Sequence, residues 1–198
     1  MIKAILFDLG GVVFTNGTKK FIDFIATTYS LDKAFVKEII DGPTATLYRE
    51  AKITRDEFWK RSLHELQIDE DIDTLEEKWI EGYEVIAGTR RLIQELSQRY
   101  KVYFLSDNVK DRVEKINTRY HFIDWFEDGV FSHEVGVRKP NPQIYTFVLK
   151  KAHVEPEEAV FIDDKAEFLP SAKEMGIHTF LFKSPEKLHA DLKKNHLL

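Results

Sequence analysis

Residues 2–11, IKAILFDLGG, decide the fold class of this chain. An apolar run from Ile2 to Phe7 stops at Asp8, and the glycines Gly10 and Gly11 follow. A short apolar run that ends at a polar residue is typical of a strand buried on both faces of a parallel sheet. Asp8 therefore lies at a predicted strand end, where it either caps the next turn or takes part in chemistry.

The same pattern recurs four times farther along, with amphipathic segments between the runs. The further predicted strands are Lys101 to Leu105, Gly129 to Phe131, Ala159 to Ile162 and Thr179 to Phe182. Ser106, Ser132 and Asp163 directly follow the first three of these. We predict an α/β protein with a Rossmann-like parallel sheet flanked by helices, and the ligand crevice of such a sheet lies beyond the carboxyl ends of its strands.

The segment between the first strand and the helix near Thr89 is too long for an ordinary loop. Its apolar residues recur at helical spacing and predict four helices, whose apolar positions are Phe21, Phe24 and Ile25; Phe35, Val36, Ile39 and Ile40; Phe58, Trp59, Leu63 and Leu66; and Ile72, Leu75, Trp79, Ile80 and Tyr83. We predict a helical-bundle cap domain over residues 15–87 and a core formed by residues 1–14 and 88–198. Trp59, Trp79 and Tyr83 are assigned to packing before any role in a substrate pocket.

Composition narrows the possible functions. With 43% hydrophobic and 32% charged residues, the chain has the balance of a folded globular protein. A net charge of -5 without a long basic block argues against nucleic acid as a partner. The absence of cysteine excludes thiolate metal sites and cysteine nucleophiles.

No apolar run approaches the ~20 residues of a membrane helix. We expect a cytoplasmic monomer or homodimer.

Asp163 and Asp164 are adjacent carboxylates at a predicted buried strand end. Such carboxylates repel each other unless a cation holds them, and hard oxygen ligands suit Mg²⁺. The alternative is a solvated pair that caps a helix, with Lys165 offsetting one charge.

Two further segments contain groups that can bind phosphate. The hydroxyl of Ser106 and the backbone N–H groups of Asp107 and Asn108 can donate to phosphate oxygens, although such a triplet also caps helices. Lys139 lies in the proline-rich segment 136–142 and is either a fixed cation in the site or a surface lysine. Among the seven histidines, only His133 is predicted to lie near the site.

Taken in order, Asp8, Ser106, Lys139 and the pair Asp163-Asp164 resemble the four motifs of the haloacid dehalogenase-like (HAD) hydrolase superfamily. The resemblance covers the predicted core, and the helical insertion is similar to the first type of cap in that family. The branch that contains sugar-1-phosphate phosphatases and the amino-terminal domains of soluble epoxide hydrolases is the most similar.

The resemblance implies a Mg²⁺-dependent phosphatase that hydrolyses a small phosphomonoester, such as a sugar phosphate, through an aspartyl-phosphate. Asp8 would attack phosphorus. The metal ligands would be the Asp8 and Asp164 carboxylates and the Gly10 carbonyl, with Asp163 acting through a metal-bound water. Ser106 and Lys139 would hold the transferring phosphoryl group, together with the N–H groups of Asp107 and Asn108.

Gly10 departs from the family pattern, in which phosphatases commonly have a second aspartate as general acid and base. Losing such a group typically costs about 10²–10⁴-fold in rate. Either the substrates have good leaving groups or another group supplies the proton, or catalysis has lapsed and the chain is a phosphate-binding module. A 2-haloacid dehalogenase, which also lacks the second aspartate, is a further alternative, although the retained pair Asp163-Asp164 argues against it.

Overall fold

The computed structural model describes all residues from 1 to 198 and contains five strands and eleven α-helices. The strands are β1 (Ala4–Phe7), β2 (Lys101–Ser106), β3 (Asp128–Phe131), β4 (Ala159–Asp163) and β5 (His178–Leu181). The helices are α1 (Gly17–Thr28), α2 (Lys33–Asp41), α3 (Pro43–Arg49), α4 (Arg55–Leu66), α5 (Ile72–Glu81), α6 (Ala87–Leu96), α7 (Lys110–Tyr120), α8 (Ser132–Val135), α9 (Pro142–Ala152), α10 (Leu169–Glu174) and α11 (Pro185–Lys194).

The five strands form one parallel sheet in the order β3-β2-β1-β4-β5, as the apolar runs predict. The central strand β1 pairs with β2 through Phe7 and Phe104 and with β4 through Phe7 and Ile162. Because all strands run the same way, the residues that follow β1, β2 and β4 lie at one edge of the sheet.

Both faces of the sheet are covered at its centre, which explains why the central strands are continuously apolar up to their polar ends. Ala4 and Leu6 of β1 face a cluster that includes the buried residues of α9 and α10. Ile5 and Phe7 face the opposite cluster, which includes α6, α7, α11 and the helical insertion. Burying each large apolar side chain contributes about 1.5–3 kcal/mol. The fold is the predicted α/β Rossmann-like sheet.

The insertion after β1 contains five helices, α1 to α5, where the sequence predicted four. The missed helix is the short α3, which begins directly after Gly42. Pro43 fits the first turn of this helix, because the N–H that proline lacks would have no partner within the helix there. Trp59 and Trp79 are buried inside the insertion, in agreement with a packing role.

Two backbone segments, residues 13–15 and 82–86, connect the insertion to the sheet, and we call them the linker pair. They are hydrogen-bonded to each other: Thr15 N donates to Glu84 O (2.8 Å), Ile86 N to Val13 O (2.9 Å) and Thr15 Oγ1 to Gly82 O (2.6 Å). The linker pair therefore fixes the end of α5 relative to the turn that follows β1. None of the helices combines the length and apolarity needed to cross a membrane.

Candidate active site

The side chains that follow the three central strands meet at the carboxyl edge of the sheet. Asp8 follows β1, Ser106 ends β2 and Asp163 ends β4. One carboxylate oxygen from each of Asp8, Asp163 and Asp164 lies within 4.8 Å of the others. The sheet order brings together residues that are up to 156 positions apart in the sequence.

Lys139 is the buried cation of this cluster, with 2% of its surface exposed. Its ammonium donates to Asp8 Oδ1 (2.5 Å), Asp163 Oδ2 (2.7 Å) and the carbonyl oxygen of Leu105 (3.1 Å), which uses all three protons. Burial disfavours the ammonium, but the charges of Asp163 and Asp8 outweigh burial and raise the pKa of Lys139. Lys139 is therefore not the surface lysine that its residue type favours.

Three carboxyl groups share this one buried ammonium, so the cluster is short of positive charge. Burial raises the pKa of Asp8 to about 8, because Asp163 and Asp164 add to the effect while Lys139 opposes it only in part. Burial and the neighbouring Asp163 also raise the pKa of Asp164. A further cation at this position would relieve the repulsion.

Asp163 and Asp164 differ in their hydrogen bonds. Asp163 accepts from Lys139 Nζ on one oxygen and from the backbone N–H of Lys165 on the other (2.8 Å). Asp164 Oδ1 is buried and has no hydrogen-bond partner. Among the hydrogen bonds outside the helices and strands, none ends on the carbonyl oxygen of Gly10. The free oxygens of Asp164 and Gly10, beside Asp8, fit the hard-oxygen ligand set that Mg²⁺ prefers.

The two glycines after Asp8 are not equivalent. Gly11 has a φ of +96°, and a Cβ there would lie 2.2 Å from Asp164 Oδ2, so its backbone makes room for that carboxylate. A Cβ on Gly10 would lie 4.0 Å from the nearest neighbouring atom, Cε1 of Tyr83. The backbone conformation and the nearby Asp164 carboxylate therefore require glycine at position 11. At position 10 there is room for a side chain.

We expect Gly11→Ala to lower the free energy of unfolding by about 1–2 kcal/mol, because an L-residue is strained at this φ. The displaced Asp164 carboxylate should also weaken Mg²⁺ binding by about 10–100-fold. Urea unfolding and calorimetric Mg²⁺ titration measure the two effects. Gly10→Ala is the matched control and should keep the wild-type unfolding free energy; equal stability of the two variants would contradict this account of Gly11.

The loop after β2 is arranged differently from our expectation. Ser106 lies in the site, but the backbone N–H of Asn108, which we expected to face a phosphate, donates to Ser132 Oγ (3.1 Å). Asp107 accepts from the backbone N–H of Lys139 (3.0 Å), so its carboxylate orients the lysine segment. His133 contacts this loop, with Nδ1 2.9 Å from the carbonyl oxygen of Asn108, but it does not line the cavity.

The site opens into a cavity of about 380 Å³ between the sheet edge and the insertion. Its lining includes four carboxylates and seven lysine and arginine side chains, namely Asp8, Asp41, Asp107 and Glu167, and Lys19, Lys33, Lys37, Arg49, Arg138, Lys139 and Lys165. The sequence analysis assigned no site role to the insertion residues among these. Apolar periodicity finds the packed face of a helix and gives no signal for polar residues that face a cavity.

Arg49 and Arg138 escaped the sequence analysis, which weighed Tyr83 as a pocket residue but assigned it to packing first. Arg138 donates to Asp107 Oδ2 (3.2 Å) and to Thr46 Oγ1 of the insertion (2.7 Å), and its position beside Lys139 was the available signal. Arg49 is buried and pairs with Asp41 (2.6 Å). Tyr83, assigned to packing, also lines the cavity.

The sheet and this edge site define an α/β protein of Rossmann-like fold with an aspartate-centred site beneath a helical insertion. The model of the haloacid dehalogenase-like hydrolase family matches residues 2–176, and the chain belongs to that family.

Relatives include proteins of known function. The D-ribitol-5-phosphate phosphatase of Bacteroides thetaiotaomicron is 29% identical over 195 residues, with 91% of each chain covered. A HAD family enzyme from the same organism, solved with magnesium and inorganic phosphate, superimposes with a TM-score of 0.75 at 25% identity, covering 93% of this chain and 96% of that one. The L-2-haloacid dehalogenase of Xanthobacter autotrophicus has a TM-score of 0.68 at 19% identity, covering 100% of this chain and 85% of that one, which shows a shared fold alone.

Proposed function

We propose that this hydrolase is a Mg²⁺-dependent phosphatase of small phosphomonoesters. The observation that carries the proposal is the buried cluster of Asp8, Asp163 and Asp164 around Lys139, because it leaves oxygens free for a divalent cation beside an aspartate nucleophile. The retained Asp164 favours this activity over metal-independent dehalogenation. The phosphatase name of the Bacteroides relative and the magnesium and phosphate bound to the structural neighbour also support it.

The proposed division of the chain follows from the same geometry. Residues 1–14 and 88–198 would form the catalytic core, and residues 15–87 a cap whose helices α1 and α2 contribute cavity residues. A cavity of about 380 Å³ lies within the usual range of small-molecule sites. Its excess of cationic side chains suits an anionic substrate, and we propose a sugar or polyol phosphate.

Asp8 would act as the nucleophile. Lys139 holds Oδ1 of Asp8, while Oδ2 accepts no hydrogen bond within the protein. A fixed carboxylate with one free oxygen is suited to attack phosphorus and form an aspartyl-phosphate, which water then hydrolyses. Asp163 would act by orienting Lys139, because both of its oxygens are already occupied. Each oxygen keeps a second lone pair, so the water-mediated metal contact that we expected for Asp163 stays compatible with this role.

The free oxygens of Asp8, Asp164 and Gly10 would hold the metal ion. Bound Mg²⁺ supplies the positive charge that keeps these carboxylates ionised and offsets the charge on the phosphoryl oxygens. Lys139 adds a second fixed cation, and the Ser106 hydroxyl offers a hydrogen-bond donor at the end of β2. Together these groups would stabilise the charge of the transferring phosphoryl group.

We expect purified wild-type protein to release phosphate from p-nitrophenyl phosphate and from a panel of sugar and polyol phosphates when Mg²⁺ is present. Chelation with EDTA should abolish the release, and Mg²⁺ should restore it, because the carboxylate cluster needs the added positive charge. Malachite-green detection of phosphate measures the rates, and the substrate with the highest kcat/KM identifies the preferred class.

Two results would distinguish the alternatives. Chelator-insensitive chloride release from 2-chloropropionate, without phosphate release, would contradict the phosphatase assignment and indicate a dehalogenase. A wild type that is silent on every phosphate, while Gly10→Asp is active, would indicate a binding site whose catalysis has lapsed. Gly10→Asp is feasible because no atom approaches the Gly10 Cβ position within 4.0 Å.

A further inference from the structure

An aspartate at the position of Gly10 would donate a proton to the leaving group. Because this chain has glycine there, a working phosphatase needs another proton donor close to that position. Tyr83 lies beside the space. Its ring carbon Cε1 is the neighbouring atom nearest to the Cβ position of Gly10, and Tyr83 lines the same cavity as Asp8. A phenol can donate a proton to an oxygen leaving group.

The ring of Tyr83 is held in place from several sides. Gly17 packs directly against it, since a Cβ on Gly17 would lie 2.3 Å from the ring carbons Cδ2 and Cε2. The Tyr120 hydroxyl donates to the Tyr83 carbonyl oxygen (2.8 Å), and Tyr83 belongs to the linker pair. The phenol is therefore positioned by the segments that adjoin the Asp8 turn.

The Tyr83 hydroxyl lies at the end of a chain of two polar contacts that begins at Trp79. The indole N–H of Trp79, which can only donate, lies 3.4 Å from Thr18 Oγ1, and Thr18 Oγ1 lies 3.4 Å from the Tyr83 hydroxyl oxygen. Both contacts are long. If Thr18 accepts from Trp79 and donates to Tyr83, the phenolic proton has no acceptor within the protein and is available to a ligand in the cavity.

The other acidic side chains of the cavity, apart from Asp8, are less suited to the task. Asp107 accepts hydrogen bonds on both oxygens, from the Lys139 N–H and from Arg138. Burial opposes the charge on Asp41, but Arg49 and Lys165 outweigh burial and lower the pKa of Asp41, so it stays ionised and cannot donate. Glu167 is exposed and remains the competitor to be tested.

We propose that Tyr83 is the catalytic proton donor that compensates for Gly10. The proposal rests on the phosphatase function above. As the Asp8 oxygen–phosphorus bond forms and the bond from phosphorus to the leaving oxygen breaks, the Tyr83 hydroxyl proton moves to that oxygen. The phenolate then takes a proton from the water that attacks the aspartyl-phosphate, which releases phosphate and restores Asp8 and Tyr83.

The leaving group provides the test. p-Nitrophenolate departs without protonation, whereas a sugar or polyol alkoxide needs a proton. Tyr83→Phe should lower kcat/KM by about 10²-fold or more for the best alkyl phosphate of the substrate panel and leave kcat/KM for p-nitrophenyl phosphate nearly unaffected, because kcat/KM reports only the steps up to departure of the leaving group. The role of Tyr83 in the later water-activating step, which both substrates share, should appear in kcat. Adding Gly10→Asp to Tyr83→Phe should recover alkyl phosphate hydrolysis. Tyr100→Phe, remote from the cavity, is the matched control and should behave as wild type on both substrates.

Equal losses of kcat/KM on the two substrates would show a structural role for Tyr83 and overturn the proposal, as would a leaving-group-dependent loss in Glu167→Gln but not in Tyr83→Phe. A wild type that hydrolyses neither substrate would overturn the phosphatase function, and the proton donor with it. A wild type active on both, with Tyr83→Phe unchanged, would overturn the proton donor alone.

Discussion

Replacing Asp8 by asparagine is expected to lower phosphate release by about 10⁵-fold or more, since the amide has no charged oxygen to attack phosphorus. The loss should appear in kcat under Mg²⁺-saturating conditions, with malachite-green detection of phosphate as the measurement. Asp128→Asn is the matched control, because this exposed ion-paired aspartate lies away from the cavity and should keep wild-type rates. Retained turnover in Asp8→Asn would rule out Asp8 as nucleophile.

The same variant should unfold at an equal or higher temperature than wild type when both are free of metal. Folding raises the pKa of the Asp8 carboxyl, so at neutral pH the carboxyl must take up a proton when the chain folds. This proton uptake lowers the free energy of unfolding. For Asp8 this cost diminishes as the pH falls from about 8 towards 3.8. An uncharged asparagine avoids the cost, so lost activity with undiminished thermal stability would separate the chemistry of Asp8 from any role in folding.

Replacing Lys139 by methionine is expected to lower the free energy of unfolding by about 3–5 kcal/mol and to abolish phosphate release. Removing one member of a buried ion pair leaves uncompensated charge, and here Asp8 and Asp163 would both lose their ammonium partner. Urea unfolding at neutral pH measures the stability. Lys151→Met is the control: its ion pair with Asp128 is exposed to solvent, and its loss should cost no more than about 1 kcal/mol.

A second change distinguishes charge from packing. Adding Asp163→Asn to Lys139→Met removes one of the unpaired carboxylates and should recover part of the lost stability without recovering activity. If Lys139→Met unfolded at the wild-type urea concentration, the lysine would contribute nothing to the folded state and our description of the cluster would be wrong.

The sequence predicted the sheet well because both faces of the central strands β1, β2 and β4 are buried, so these strands read as apolar runs that stop at polar residues. The runs ending at Asp8, Ser106 and Asp163 have the same direction, and parallel pairing alone brings their ends to one edge. The order of strands and the side-chain contacts depend on the tertiary fold. That the three strands are direct neighbours is visible only in the structure.

The features of the site that the sequence did not predict share a physical cause, since each depends on residues that are distant along the chain. A lysine is exposed by default, and the burial of Lys139 depends on carboxylates that are 24 and 131 positions away in the sequence. Gly10 and Gly11 look alike in sequence, and only the position of Asp164 distinguishes them. Tyr83 lies at helical spacing with packed residues, so periodicity assigned it to packing although one side of its ring faces the cavity.

The charges that line the cavity have a kinetic consequence. The chain has a net charge of -5, yet the cavity has seven cationic side chains against four carboxylates, so most of the outer surface repels an anion that the crevice attracts. Such a field concentrates phosphate esters at the cavity mouth and speeds their capture. Inorganic phosphate is attracted by the same field. We therefore expect product departure, rather than bond cleavage, to limit turnover on reactive esters.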